Sequence, residues 1–164
     1  AALISCMRGP IRARNLAFRQ RRYPEGAKSV DAQKFIAAQD KVWPQVVREL
    51  RRGEKSSHWI WFVFPQLASL GRSERARYYG LADLAEARDY LAHPVLRERL
   101  EEVAELLMMH RGASPEDILG PVDALKVRSS MTLFSQLDDA PAIFAKVLDV
   151  FYDGETCPES ETLV

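Results

Sequence analysis

Apolar residues recur at helical spacing along most of this 164-residue chain. The first clear run follows Ser29 and Asp31, an N-cap candidate, and places Phe35, Ala38, Val42, Val46 and Leu50 on one face before Gly53 closes it. Pro44 lies inside this pattern, where a proline removes an amide donor and clashes with the preceding turn, so two helices meeting near Trp43 are predicted. After the polar turn Gly53 to Ser57 comes His58-Trp-Ile-Trp-Phe-Val-Phe-Pro-Gln66, apolar on all sides. Its aromatic and β-branched content suits a strand locally, but no second strand of comparable quality is present to satisfy its ladder groups. A short buried helix is therefore predicted for His58 to Gln66.

Downstream, Ser73 to Tyr79 follows a glycine turn, Asp83 caps a segment carrying Leu84, Ala87, Tyr90 and Leu91, and Pro94 stands at the first turn of a run through Leu96, Leu100, Val103, Leu106 and Leu107. Ser114 with Pro115 and two acids opens a short helix that Gly120 ends, and Pro121 restarts the chain into Val122, Leu125, Ser129, Thr132, Leu133 and Gln136. A last run, Ala140 to Phe151, puts Ile143, Val147, Leu148 and Phe151 on one face. The pattern predicts an all-α fold, a compact multihelical array of seven or eight short crossing helices. No fixed-period repeat points to a solenoid.

Composition narrows the class. With 47% hydrophobic and 28% charged residues, the chain has the make-up of an ordinary globular domain, and it lacks the run of roughly 18 apolar residues that a bilayer requires. The formal charge is zero, but residues 1–29 carry seven basic residues against Glu25 alone, a net of +6, which leaves −6 on the rest. Residues 1–29 read as a basic N-terminal arm, flexible or a remnant of upstream or expression sequence, and 30–164 as a single helical domain. The acidic body is not expected to bind nucleic acid unaided; the arm could do so weakly. The two cysteines, Cys6 and Cys157, fall in the expected flexible ends, so no disulfide framework is predicted and a reducing, cytoplasmic setting is expected.

The common catalytic and cofactor signatures are absent, and His58, His93 and His110 are too scattered to suggest a metal site, so neither metal nor cofactor is expected. His93 and His110 are placed near helix ends, where a cation offsets the C-terminal dipole. His58 introduces an ionisable ring into the most apolar stretch, as a buried histidine bonded to backbone or as a ligand-binding group. Trp59 and Trp61 could stack a planar ring, although aromatics in an apolar run are more often core. Gln66 brings an amide that needs partners if buried. On a helix, Lys126, Ser129 and Ser130 stand at i, i+3 and i+4, which sets an ammonium beside two hydroxyls. The bland alternative is close packing by small residues whose hydroxyls bond back to the preceding turn.

These blocks carry a resemblance. Ser57 to Gln66, Leu70-Gly-Arg-Ser73, Tyr90-Leu-Ala-His-Pro94, Leu125-Lys-Val-Arg-Ser-Ser-Met-Thr-Leu-Phe134 and Val147-Leu-Asp149 together resemble domain-of-unknown-function family 1810, found in bacteria and fungi. Some members carry the label calpastatin, which nothing in this chain supports. The resemblance spans about Asp31 to Val164 and implies an all-α multihelical domain of bacterial type, with no established activity and therefore no catalytic residue to carry over. The tail departs from the pattern, because Cys157-Pro-Glu-Ser stands where an acid before the proline is expected.

The leading expectation is a cytoplasmic small-ligand-binding domain, with enzymatic activity left open. Its pocket would gather His58, Trp61, Gln66, Lys126, Ser129 and Ser130 around an anionic or nucleotide-like molecule. The alternative is a protein-interaction module using an aromatic patch around Trp59.

Overall fold

A computed structural model describes residues 29–161. The basic arm, Cys6 and the last three residues lie outside the described residues.

The cap residues set the helix starts. The Asp31 side chain accepts from the Lys34 amide to open α1 (Ala32–Asp40), and the chain turns before α2 (Trp43–Arg52), which carries Pro44 in its first turn. The break near Trp43 is present because a first-turn proline has no amide to lose. Gly53 then ends α2 at φ 69°, a left-handed cap that glycine adopts without strain.

The aromatic segment forms α3 over only Ile60–Val63. Pro65 disfavours helical geometry at Phe64, whose φ and ψ are −119° and 74°. The chain leaves extended and makes a single parallel bridge, Leu67 to Leu81, in which the Leu81 amide donates to the Gln66 carbonyl at 2.9 Å and the Ala68 amide to Leu81 at 2.8 Å. The buried helix expected over His58 to Gln66 thus shrinks to one turn. His58 itself, expected to enter the core, is exposed at its mouth.

A 3₁₀ turn (Ala68–Leu70) leads to α4 (Glu74–Tyr78), capped by the Ser73 hydroxyl. The loop returns through Gly80, where an added Cβ would lie 2.4 Å from Ala68 Cα. Gly80→Ala is therefore expected to cost about 1–3 kcal/mol by forcing backbone against backbone, measured as a lower urea midpoint. An unchanged midpoint would mean that this turn is not packed as described.

Five longer or well-capped elements follow: α5 (Leu84–Ala92), α6 (Pro94–Met108), α7 (Pro115–Leu119), α8 (Pro121–Ser135) and α9 (Ala142–Tyr152), with Asp83 and Ser114 capping α5 and α7. The chain closes with α10 (Pro158–Glu161). The described residues hold ten α-helices and no strand, more than the seven or eight expected, partly because Pro158 starts a turn in a segment expected to be flexible.

Helix α8 is the axis of the array, packing against α5, α7, α9 and α10. Six consecutive residues, Ser129 to Phe134, are buried, so it has core on nearly every side through its second half. A line of rings crosses the interior from α1 to α9: Phe35 meets Tyr90 edge-on at 5.1 Å, Tyr90 meets Phe134 at 5.3 Å, and Phe134 meets Phe144 at 6.2 Å. Such pairs add about 0.5–1.5 kcal/mol each beyond area burial. Among the described residues, no helix is long and apolar enough to cross a membrane.

Candidate functional site

A carboxylate the periodicity did not single out organises the turn that precedes the aromatic segment. Glu49, on α2, is 2% exposed and accepts five hydrogen bonds. They come from the Gln45 amide (3.0 Å), the Ser56 and Ser57 backbone amides (3.0 and 3.2 Å), the Ser57 hydroxyl (2.6 Å) and the Trp59 indole (2.9 Å). Burial alone would raise its pKa, but the Ser57 hydroxyl, the Ser56 amide, the Trp59 indole and the Ser57 amide overcome that and hold it at about 2. The serines ahead of His58 thus serve Glu49.

Beside this node lies a buried ammonium. Lys55, its side chain 5% exposed, pairs with Asp123 on α8 at 2.6 Å, donates to the Ser57 carbonyl at 2.5 Å and sits 4.7 Å over the Trp59 ring. The second oxygen of Asp123 faces Lys126 at 3.6 Å. Lys126 also lies 5.2 Å over the Trp61 ring, and the Arg75 guanidinium lies 5.0 Å from the same ring. Trp61 is half-buried and its indole N–H has no partner among the described residues.

Lys126 opens onto a cleft of about 620 Å³ between the segment Gln66–Ala76, helix α8 and the C-terminal segment Cys157–Glu159. Its polar lining consists of Gln66, Arg72, Ser73, Lys126, Arg128, Ser129, Cys157 and Glu159. Three cations thus face one carboxylate. Arg128 is committed to holding the C-terminal segment: it donates to the Glu155 and Thr156 carbonyls at 3.1 and 2.5 Å and pairs with the Glu155 carboxylate at 3.6 Å. Arg72 makes no ion pair among the described residues. The Gln66 backbone is fixed by the bridge to Leu81, and the residue lines the cleft.

At the floor, the Ser129 hydroxyl donates to the Leu125 carbonyl at 3.1 Å, as expected for a helical serine, and lies 3.3 Å from Cys157 Sγ. The Cys157 thiol donates to Glu159 at 3.3 Å, and its amide to Thr132 Oγ1 at 2.9 Å. Cys157, expected in a flexible end, is instead a buried residue of the cleft wall, because Arg128 and Thr132 supply partners for the backbone around it.

Of the six residues expected to form one pocket, Gln66, Lys126 and Ser129 line this cleft and Trp61 supports Lys126 from the side. His58 does not line it; it is exposed where the chain turns from Glu49 toward α3. Ser130 is fully buried and without a partner among the described residues, since the helical step from Ser129 carries it into the core. Trp59 and Phe64 are each 1% exposed while Trp61 is half-buried, so of the aromatic patch on which a protein-interaction module would rest only Trp61 reaches the surface. Arg72, Arg128 and Cys157 were missed for one reason: nothing local in the sequence brings residues 72, 128 and 157 together.

Fold and cleft define an all-α, multihelical domain with a cation-lined recess beside its central helix. The chain belongs to the protein family of unknown function DUF1810, whose model matches residues 29–164. It is similar to a conserved hypothetical protein of Mycobacterium tuberculosis, solved in a crystal structure at 1.38 Å. The two share 45% identity over 82% of this chain and 96% of that one, with a TM-score of 0.79. No curated protein matches the chain.

Proposed function

We propose that the protein is a cytoplasmic small-ligand-binding domain whose cleft takes an anion between Arg72 and Lys126, with Gln66 and Ser129 as polar partners. The observation that carries this reading is the incomplete neutralisation of those two cations. Asp123 is held closely by Lys55, at 2.6 Å, and only loosely by Lys126, at 3.6 Å, while Arg72 pairs with no carboxylate among the described residues. An ammonium offers three donors and a guanidinium five, so both retain capacity for an anion. Stacking of a nucleotide base on Trp61 is disfavoured, because Lys126 and Arg75 already lie over that ring.

Isothermal titration with phosphate, simple carboxylates and AMP tests the proposal. Saturable binding is expected for at least one anion, and Arg72→Gln and Lys126→Gln should each weaken it by about ten- to a hundredfold, the loss of one charge-assisted hydrogen bond. If no anion binds more tightly than about 1 mM, or if both variants bind like the parent, the reading fails.

A further inference from the structure

The rim of this cleft is apolar in a place where water would favour polar side chains. Val122 and Leu125, one turn apart on α8, are 63% and 60% exposed, and both line the cleft with Leu70. The periodicity assigns these two to the apolar face of α8, yet in the first half of that helix the buried positions are Ala124 and Val127. Scattered exposed apolar residues are ordinary on a protein surface. Here they line one cleft with Ala76 and Pro158, the same cleft that Arg72 and Lys126 line.

We infer, on the basis of the anion-binding reading, that the ligand is amphipathic: a free aliphatic carboxylate. Its head pairs with Arg72 and Lys126, and its chain lies along Leu70, Val122 and Leu125. An inorganic anion would leave that apolar strip wet, whereas an aliphatic chain removes it from water. The volume, about 620 Å³, is that of a site for a whole small molecule rather than a lone ion. The floor at Ser129 and Cys157 is 7% and 9% exposed, a recess that a free monomer enters and a headgroup fixed in a bilayer does not.

The test is titration of the full chain with straight-chain carboxylates from butyrate to decanoate, beside AMP and inorganic phosphate, with co-sedimentation on phosphatidylserine-containing vesicles. Affinity is expected to rise about two- to fourfold with each added methylene. In the double variant Val122→Ser/Leu125→Ser that slope should flatten, with decanoate losing most affinity and butyrate least; both side chains are exposed, so the variant should keep the parent's unfolding midpoint. Lys126→Gln should weaken every acid by a similar factor and leave the slope intact. A flat series alongside binding of short anions overturns the amphipathic ligand and preserves the anion site. AMP binding more tightly than octanoate, or capture on vesicles in preference to free acid, also overturns it. Failure of every anion, phosphate included, removes the underlying reading itself.

Discussion

Replacing Glu49 by alanine is expected to lower the unfolding free energy by about 3–5 kcal/mol, the loss seen when one member of a buried, charged hydrogen-bond network is removed. The variant leaves the Trp59 indole and the Ser56 and Ser57 amides without their acceptor. Unsatisfied buried donors cost about 1–3 kcal/mol each, so even partial rescue by water leaves a large deficit. The same carboxylate predicts a pH dependence. Its pKa is lower in the folded chain than the ordinary 4.5, at about 2. Its stabilisation is therefore complete above the ordinary value and lost as pH falls through about 2. Urea unfolding over the acid range should show the parent losing stability steadily while Glu49→Gln, already lacking the charge, loses less. Parallel curves would show that Glu49 is not the group responsible.

Asp123→Ala is expected to cost about 2–4 kcal/mol, because it strands an ammonium whose side chain is 5% exposed. Lys55 keeps the Ser57 carbonyl and the Trp59 ring, which places the cost below that of an isolated buried charge. The double variant Lys55→Met/Asp123→Leu should regain most of the loss, since apolar groups of similar volume replace a buried pair at little net cost. Chemical denaturation of the parent, Lys55→Met, Asp123→Leu and the double variant forms a double-mutant cycle, and simple additivity of the single effects would show that the pair is uncoupled. In Asp123→Ala, Lys126 also loses the carboxylate it faces, so anion affinity at the cleft should rise.

Much of the helical array could be read in the chain, because its punctuation is local. Asp31, Asp83 and Ser114 cap the helices they precede, and Pro44, Pro94 and Pro121 stand in first turns where a proline is tolerated. The interior chemistry was harder to read for the opposite reason. Glu49 looks like a solvated glutamate until the chain folds back from Gly53 and aims two amides, a hydroxyl and an indole at it. Gln39 is similar: it is buried, donates to the Phe62 carbonyl at 2.7 Å and accepts from Arg99 at 3.2 Å, across elements distant in sequence. For α8 the helical period was correct and its orientation was not. Val122 and Leu125 face the cleft, while Ser130 points into the core, an outcome set by which neighbours surround the helix.

Arg128 spends its guanidinium on two carbonyls of the segment that follows α9, and the Gln136 amide holds the Ser160 carbonyl at 2.7 Å. The third wall of the cleft is thus fastened by a few polar contacts late in the chain, while the other two belong to the body. Occupancy and tail attachment are then thermodynamically one equilibrium: a guest that touches Cys157 or Pro158 adds its binding energy to the clasp, and a loosened clasp subtracts from the affinity of the guest.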